Sequence, residues 1–188
     1  MEYTLFGNGM DRMPDFAFRG MAFLFLFWDF FREITSQFSR RLASFGIESG
    51  PTVIDYGCGP GGYLKAASSL VGHNGKVYAV DIHPLAIEAV RKKIAKYGLR
   101  NVTPILTNKY RCSLGDRTAD VIYALDMFHM IKNPNDFLSE CHRLLKKEGH
   151  LIIDDGHQSR KETTRKIAGS ELWKIVEETR GHLRCTPV

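Results

Sequence analysis

Apolar residues along the chain fall into two periods, and the periods alternate. Short unbroken apolar runs recur at residues 53–56 (VIDY), 76–82 (KVYAVDI), 102–107, 120–125 (DVIYAL) and 150–154 (HLIID), the signature of strands buried on both faces. Between them lie segments with helical spacing. Leu64, Ala67 and Leu70 share one face of a helix over 62–71. Ile87, Val90, Ile94 and Tyr97 share one face of a helix that Pro84 opens and Gly98 closes. Asn133 and Pro134 start a further helix carrying Phe137, Cys141, Leu144 and Leu145. Strand–helix alternation of this kind predicts a parallel sheet with right-handed crossovers, its ligands gathered at the carboxyl ends of the strands.

The two ends of the chain depart from that rhythm. After a short helix near 161–168, residues 172–178 and 182–188 read as two strands joined by a turn at Arg180-Gly181, an antiparallel hairpin closing a seven-stranded sheet. At the other end, Trp28, Phe31, Ile34, Phe38, Leu42 and Phe45 recur at helical spacing, and Gly46 can end that helix. This face is expected to cover the core, with a membrane-surface or lipid-substrate face as the alternative. Phe23, Phe27 and Phe30 form a second apolar set that one buried stripe does not use. A lid over a substrate, a dimer interface or a bilayer contact would each cover them. The aromatic run from Gly20 to Trp28 is bracketed by Arg19 and Asp29 and is too short to cross a membrane. The order of charges around it does not suit a signal peptide.

Composition narrows this little further. With 188 residues, 44% of them hydrophobic and 25% charged, the chain can bury one core, and we expect a single domain over 1–188: an N-terminal helical cap (1–46) and a core (47–188). The net charge of +5 comes from short basic groups such as Arg91-Lys92-Lys93, which read as solvated helix faces, so nucleic acid is disfavoured as a partner. The cysteines Cys58, Cys112, Cys141 and Cys185 show no CxxC spacing, which argues against a zinc site or disulfide framework and fits a reducing cytoplasm.

The chemistry is concentrated where the first strand ends. Asp55-Tyr56-Gly57-Cys58-Gly59-Pro60-Gly61-Gly62 is a strand end, a glycine turn and the start of a helix, the layout that brings backbone N–H groups and a positive helix end to a nucleotide-type ligand. The glycine spacing alone satisfies both GxGxxG and GxGxG. Asp55 separates the readings: a carboxylate there would repel a pyrophosphate and attract an ammonium group directly or through water. Asp81, at the end of the second strand, can accept hydrogen bonds from ribose hydroxyls, and Ile82 can pack on an adenine face. Cys58 reads best as a small residue permitting close backbone approach, not as a nucleophile.

Asp55 to Gly61 (DYGCGPG) resembles the glycine-rich motif of class I S-adenosylmethionine-dependent methyltransferases, and the likeness extends from Val53 to about residue 157. It implies a doubly wound, Rossmann-like α/β fold. The implied cofactor is S-adenosyl-L-methionine, with S-adenosyl-L-homocysteine as product. Asp55, Tyr56, Gly57, Cys58, Gly59, Gly61, Asp81, Ile82, Asn108 and Leu125 become its binding residues. Asn108 stands where the family commonly has an aspartate accepting from the adenine amino group; as an Asn it is equally a turn residue.

The run Leu125-Asp126-Met127-Phe128-His129-Met130 with Asn133-Pro134 is similar to the small-molecule branch that includes ubiquinone and menaquinone biosynthesis methyltransferases. It lacks the Asp/Asn-Pro-Pro-Tyr motif of nucleobase and glutamine-amide methyltransferases. The expected reaction is methyl transfer to a small, apolar or aromatic acceptor, with the Phe-rich N-terminal segment as lid. The alternatives are an acceptor such as a quinone or lipid precursor presented at a membrane surface, and a non-catalytic S-adenosylmethionine-binding subunit or sensor. His129, His157 and Asp126 are the candidates for a base, at the rim of the pocket. Asp126 with Asp154 and Asp155 could suggest a divalent ion, as in the metal-dependent catechol methyltransferases, but carboxylates scattered over different strand ends are poor evidence, and no metal is expected.

Overall fold

The computed structural model describes residues 12–34 and 37–188, the side chains of 25–34 excepted. Its elements are α1 (Asp15–Ile34), α2 (Gln37–Ala43), β1 (Thr52–Tyr56), α3 (Leu64–Val71), β2 (Lys76–Asp81), α4 (Pro84–Tyr97), β3 (Val102–Leu106), β4 (Ala119–Ala124), α5 (Pro134–Leu144), β5 (Leu145–Ile153), α6 (Arg160–Ala168), β6 (Trp173–Glu178) and β7 (Leu183–Pro187). The seven strands form one sheet in the order β3-β2-β1-β4-β5-β7-β6. β1 to β5 run parallel, and β7 pairs antiparallel with both β5 and β6. The expected doubly wound sheet and closing hairpin are both present.

Each central strand is buried on two faces, so its alternate residues feed two cores. Along β4, Val121 and Tyr123 join a cluster with Leu42, Leu64 and Ile87 from α2, α3 and α4. Ile122 and Ala124 join the opposite cluster with Phe137, Leu138 and Ile167 from α5 and α6. The result is three layers, helix on sheet on helix. β1 lies between β2 and β4, where the strand order reverses: α3 and α4 follow β1 and β2 on one face and α5 and α6 follow β4 and β5 on the other, so a crevice opens above the carboxyl end of β1.

Two sequence expectations change. The helical run read from Trp28 to Phe45 starts earlier, with α1 beginning at Asp15, where Phe18 N–H bonds the Pro14 carbonyl and an acidic residue faces the positive helix end; residues 35–36, between α1 and α2, lie outside the described residues. Phe38, Leu42 and Phe45 are buried against the sheet, whereas Phe23 is exposed. The side chains of Phe27, Trp28, Phe30, Phe31 and Ile34, in which the stripe was also read, lie outside the described residues. Leu145, read as helical, begins β5, which is correspondingly longer. Among the described residues no helix is long and apolar enough to cross a membrane.

Candidate functional site

A cavity of about 540 Å³ occupies the crevice at the carboxyl ends of β1, β2, β4 and β5. Its floor is the turn after β1, where Gly57, Gly59 and Gly61 all have positive φ. The turn uses its own amides: Gly57 and Cys58 N–H donate to the Val80 carbonyl, Gly59 N–H to Asp81 Oδ2 at 2.8 Å, and Gly61 N–H to the Cys58 carbonyl. The N–H cradle expected from the glycine spacing is therefore spent within the protein, which leaves little to hold a pyrophosphate. What the turn offers is room. A Cβ on Gly59 would meet nothing within 4 Å. Gly61, expected at the ligand, does not line the cavity; a Cβ there would come within 2.6 Å of Leu64 and 3.3 Å of Val90, so its lack of a side chain lets α3 and α4 close on the turn.

Asp55 lines the cavity floor and is 3% exposed. Burial pushes its carboxyl up to about 7, and the neighbouring Tyr123 hydroxyl offsets only part of that shift. Neither Asp55 Oδ2 nor the Tyr123 hydroxyl has a hydrogen-bond partner of ordinary geometry among the described residues. A buried carboxylate oxygen without a donor is costly. A negative carboxylate at the cavity floor attracts an ammonium group and repels a phosphate, so the cavity fits S-adenosylmethionine better than a phosphate-bearing nucleotide. Cys58 is buried and its thiol is pushed well up by desolvation, which makes it a poor nucleophile.

Asp81 closes the second side. Its Oδ1 accepts from His83 N–H at 2.7 Å and its Oδ2 from Gly59 N–H, leaving one lone pair on each oxygen directed elsewhere. His83 in turn caps α4, Nδ1 accepting from Leu85 N–H at 3.2 Å, and Phe18 of α1 stacks on its ring at 4.2 Å. Through Phe18 and Met21, α1 contributes to the cavity wall. Tyr56, Ile82 and Leu125 also line the cavity. The Tyr56 hydroxyl donates to the Tyr110 carbonyl, tying the floor to the loop after β3. Asn108 does not line the cavity: it is exposed and paired with Arg111 in an isolated antiparallel bridge, and Thr107 and Lys109 reach the cavity in its place.

The remaining side is built from residues far apart in sequence. Asp154, at the end of β5, accepts from Asp126 N–H at 2.7 Å and from Arg41 of α2 at 2.7 Å, and Arg41 also donates to the Tyr63 hydroxyl at 2.7 Å. Sequence reasoning missed Arg41. The available signal was a cation on the same helical face as Phe38, Leu42 and Phe45. Asp126 reaches the cavity from the loop after β4, with φ +55. His129 and His157, expected at the rim, stand behind it. His129 is 4% exposed, and its ring meets that of His157 edge-on at 4.9 Å.

The sequence and fold match known proteins. A family described as a methyltransferase domain matches residues 47–181. The chain is 30% identical over 115 residues to a probable cobalt-precorrin-6B C(15)-methyltransferase (decarboxylating) of Saccharolobus solfataricus, covering 60% of this chain and 56% of that protein. It is 29% identical over 109 residues to a ubiquinone/menaquinone biosynthesis C-methyltransferase of Hydrogenovibrio crunogenus, covering 57% of this chain and 43% of that one. The matches thus span about half the length of these curated relatives. Among solved structures, a SAM-dependent methyltransferase from Aquifex aeolicus superposes with a TM-score of 0.75 at 28% identity, over 79% of this chain and 88% of that one.

Proposed function

The chain belongs to the methyltransferase-domain family, and from that premise we propose that it binds S-adenosylmethionine in the cavity above β1 and transfers its methyl group to a small, apolar or aromatic acceptor. The observation that carries this reading is Asp55: a buried carboxyl group at the floor of a cavity whose glycine turn has already spent its amides. Relatives named for methyl transfer to corrinoid precursors and quinones support the small-molecule reading.

When bound, the cofactor supplies a methyl group on a sulfonium, already activated for displacement. The work left to the protein is alignment and exclusion of water. Asp55 holds the ammonium group, and Asp81, anchored by Gly59 and His83, takes the ribose hydroxyls on its remaining lone pairs. Ile82 and Leu125 pack the base. Phe18 and Met21 make α1 a lid, and the Arg41–Asp154–Tyr63 contacts fix α2 beneath it. A base is needed only where the acceptor begins protonated, and burial keeps His129 neutral beside Asp126.

A second reading, an acceptor presented at a membrane surface, is favoured by Phe16, Phe23 and Leu24, which are exposed on the helix that also walls the cavity. Titration calorimetry with S-adenosylmethionine, S-adenosylhomocysteine and NAD tests the cofactor, and a preference for NAD refutes the proposal. A methyl-transfer screen across phenols, quinols, amines and thiols, with and without anionic lipid vesicles, then separates the two acceptor readings.

A further inference from the structure

We propose that Asp126, His129 and His157 form a binding site for a divalent transition-metal ion at the outer edge of the cavity. One donor atom from each lies within 4.8 Å of the others, although the residues come from two loops, one after β4 and one after β5. The carboxylates suggested by sequence for such a role are otherwise engaged. Asp154 is held by Arg41 and by Asp126 N–H, and Asp155 by Arg160 at 2.9 Å.

His129 is the fixed point. It is buried, and with Gly156 packed against Nδ1 it is Nε2 that is left to meet the other two residues. An ordinary Asp126–His157 surface pair, at 3.8 Å, would account for two of the three residues but not for the buried imidazole set edge-on against His157. The backbone is shaped around the cluster from both sides. A Cβ on Gly156, at φ +54, would lie 2.2 Å from His129 Nδ1, so a glycine is required for the β5 loop to approach. Asp126 itself is held at φ +55, a conformation that non-glycine residues adopt sparingly and that clusters at functional sites.

Bonds of about 2.0–2.1 Å to zinc in a tetrahedral site place donors roughly 3.3 Å apart. The cluster must therefore contract by at most about 1.5 Å, and by about 0.5 Å between Asp126 and His157. The two residues that would move, Asp126 and His157, have side chains 54% and 69% exposed. Two imidazoles and one carboxylate select Zn²⁺ or a neighbouring first-row ion over Mg²⁺ or Ca²⁺, and three protein ligands leave a coordination position open. Because Asp126 also lines the cavity, that position borders the space assigned to the acceptor; this consequence, unlike the metal site itself, rests on the function proposed above. It points to acceptors with an oxygen donor next to the methylated atom.

The test is titration calorimetry of the full chain with Zn²⁺ near neutral pH, in wild type and in His157→Ala and Asp126→Asn. Both substitutions are at exposed side chains, so neither should unfold the protein. One equivalent of Zn²⁺ should bind the wild type, each variant should weaken it by about 10- to 100-fold or more, and Mg²⁺ should compete poorly. No saturable Zn²⁺ uptake, variants that titrate like wild type, or Mg²⁺ binding as tight as Zn²⁺ would each overturn the site. S-adenosylhomocysteine titrated into the same wild-type preparation tests the cofactor reading separately.

Discussion

Asp55 should act in opposite directions on stability and on binding. In the ligand-free protein burial raises its carboxyl from 3.8 to about 7, so the folded state holds the proton more tightly than the unfolded chain does. The stability linked to that proton is fully present below about pH 4 and is lost as pH rises through about 7. Raising the carboxyl from 3.8 to about 7 corresponds to about 4 kcal/mol. Asp55→Asn keeps the shape and removes the charge. It should therefore stabilise the ligand-free protein at pH 8 by about 2–4 kcal/mol, several degrees in Tm for a chain of this length, and have little effect at pH 4.

Binding should respond the other way. Loss of a charge-assisted contact to the ligand's ammonium group should weaken S-adenosylhomocysteine by about 10- to 100-fold. In the wild type, binding at pH 6 should release close to one proton, and at pH 8 about none, because the ligand displaces the proton from Asp55. Thermal melts of the two proteins at pH 4 and pH 8, and calorimetry in buffers of different ionisation enthalpy, measure both effects. A variant less stable than wild type at pH 8, or one that binds S-adenosylhomocysteine as tightly as wild type, would refute the role assigned to this carboxylate.

Asp81→Ala removes the ribose acceptor and strands the N–H groups of Gly59 and His83, so S-adenosylhomocysteine affinity should fall at least about 100-fold and stability by about 1–3 kcal/mol; unchanged affinity by calorimetry would contradict the assignment. Gly61→Ala should destabilise by about 2–3 kcal/mol through its positive φ and the approach of Leu64, visible as a lower midpoint in urea. Arg41→Met leaves Asp154 without its cation and should cost about 1–3 kcal/mol. It should reduce kcat/KM for the acceptor while S-adenosylhomocysteine affinity holds within about threefold, and an equal loss in both would place Arg41 on the cofactor side instead.

The sheet was legible because its signals are local. A buried strand announces itself in four or five adjacent residues, and Pro84, Gly98 and Pro134 mark helix ends within one turn of where they act. The start of the N-terminal helical run, at Asp15, was missed because its apolar stripe is regular only from Trp28. Periodicity reports which side is apolar, not where the helix begins. Asn108 was placed at the site by its position after β3, but the bridge to Arg111 turns the chain, a pairing no local pattern announces.

The same contrast divides the site. Asp55, the glycine turn and Asp81 lie within 27 residues and are coupled through β1 and β2, which pair in register from Thr52 opposite Lys76 to Tyr56 opposite Val80. Sequence spacing therefore translates into spatial position there, and Asp55, Gly57, Gly59 and Asp81 all line the cavity as read, although Gly61 does not. On the other side, Arg41 meets Asp154 across 113 residues, and Asp126 and His129 meet His157 only because β4 and β5 are neighbours in the sheet. There each residue alone is an unremarkable loop or helix side chain. Its chemistry exists only after folding sets a cation beside a buried carboxylate, or a second imidazole beside a buried one. If the proposed assignment of this side to the acceptor holds, variants at Arg41, Asp126 and His157 should alter acceptor preference in the methyl-transfer screen before they alter S-adenosylhomocysteine affinity, and the reverse order would contradict it.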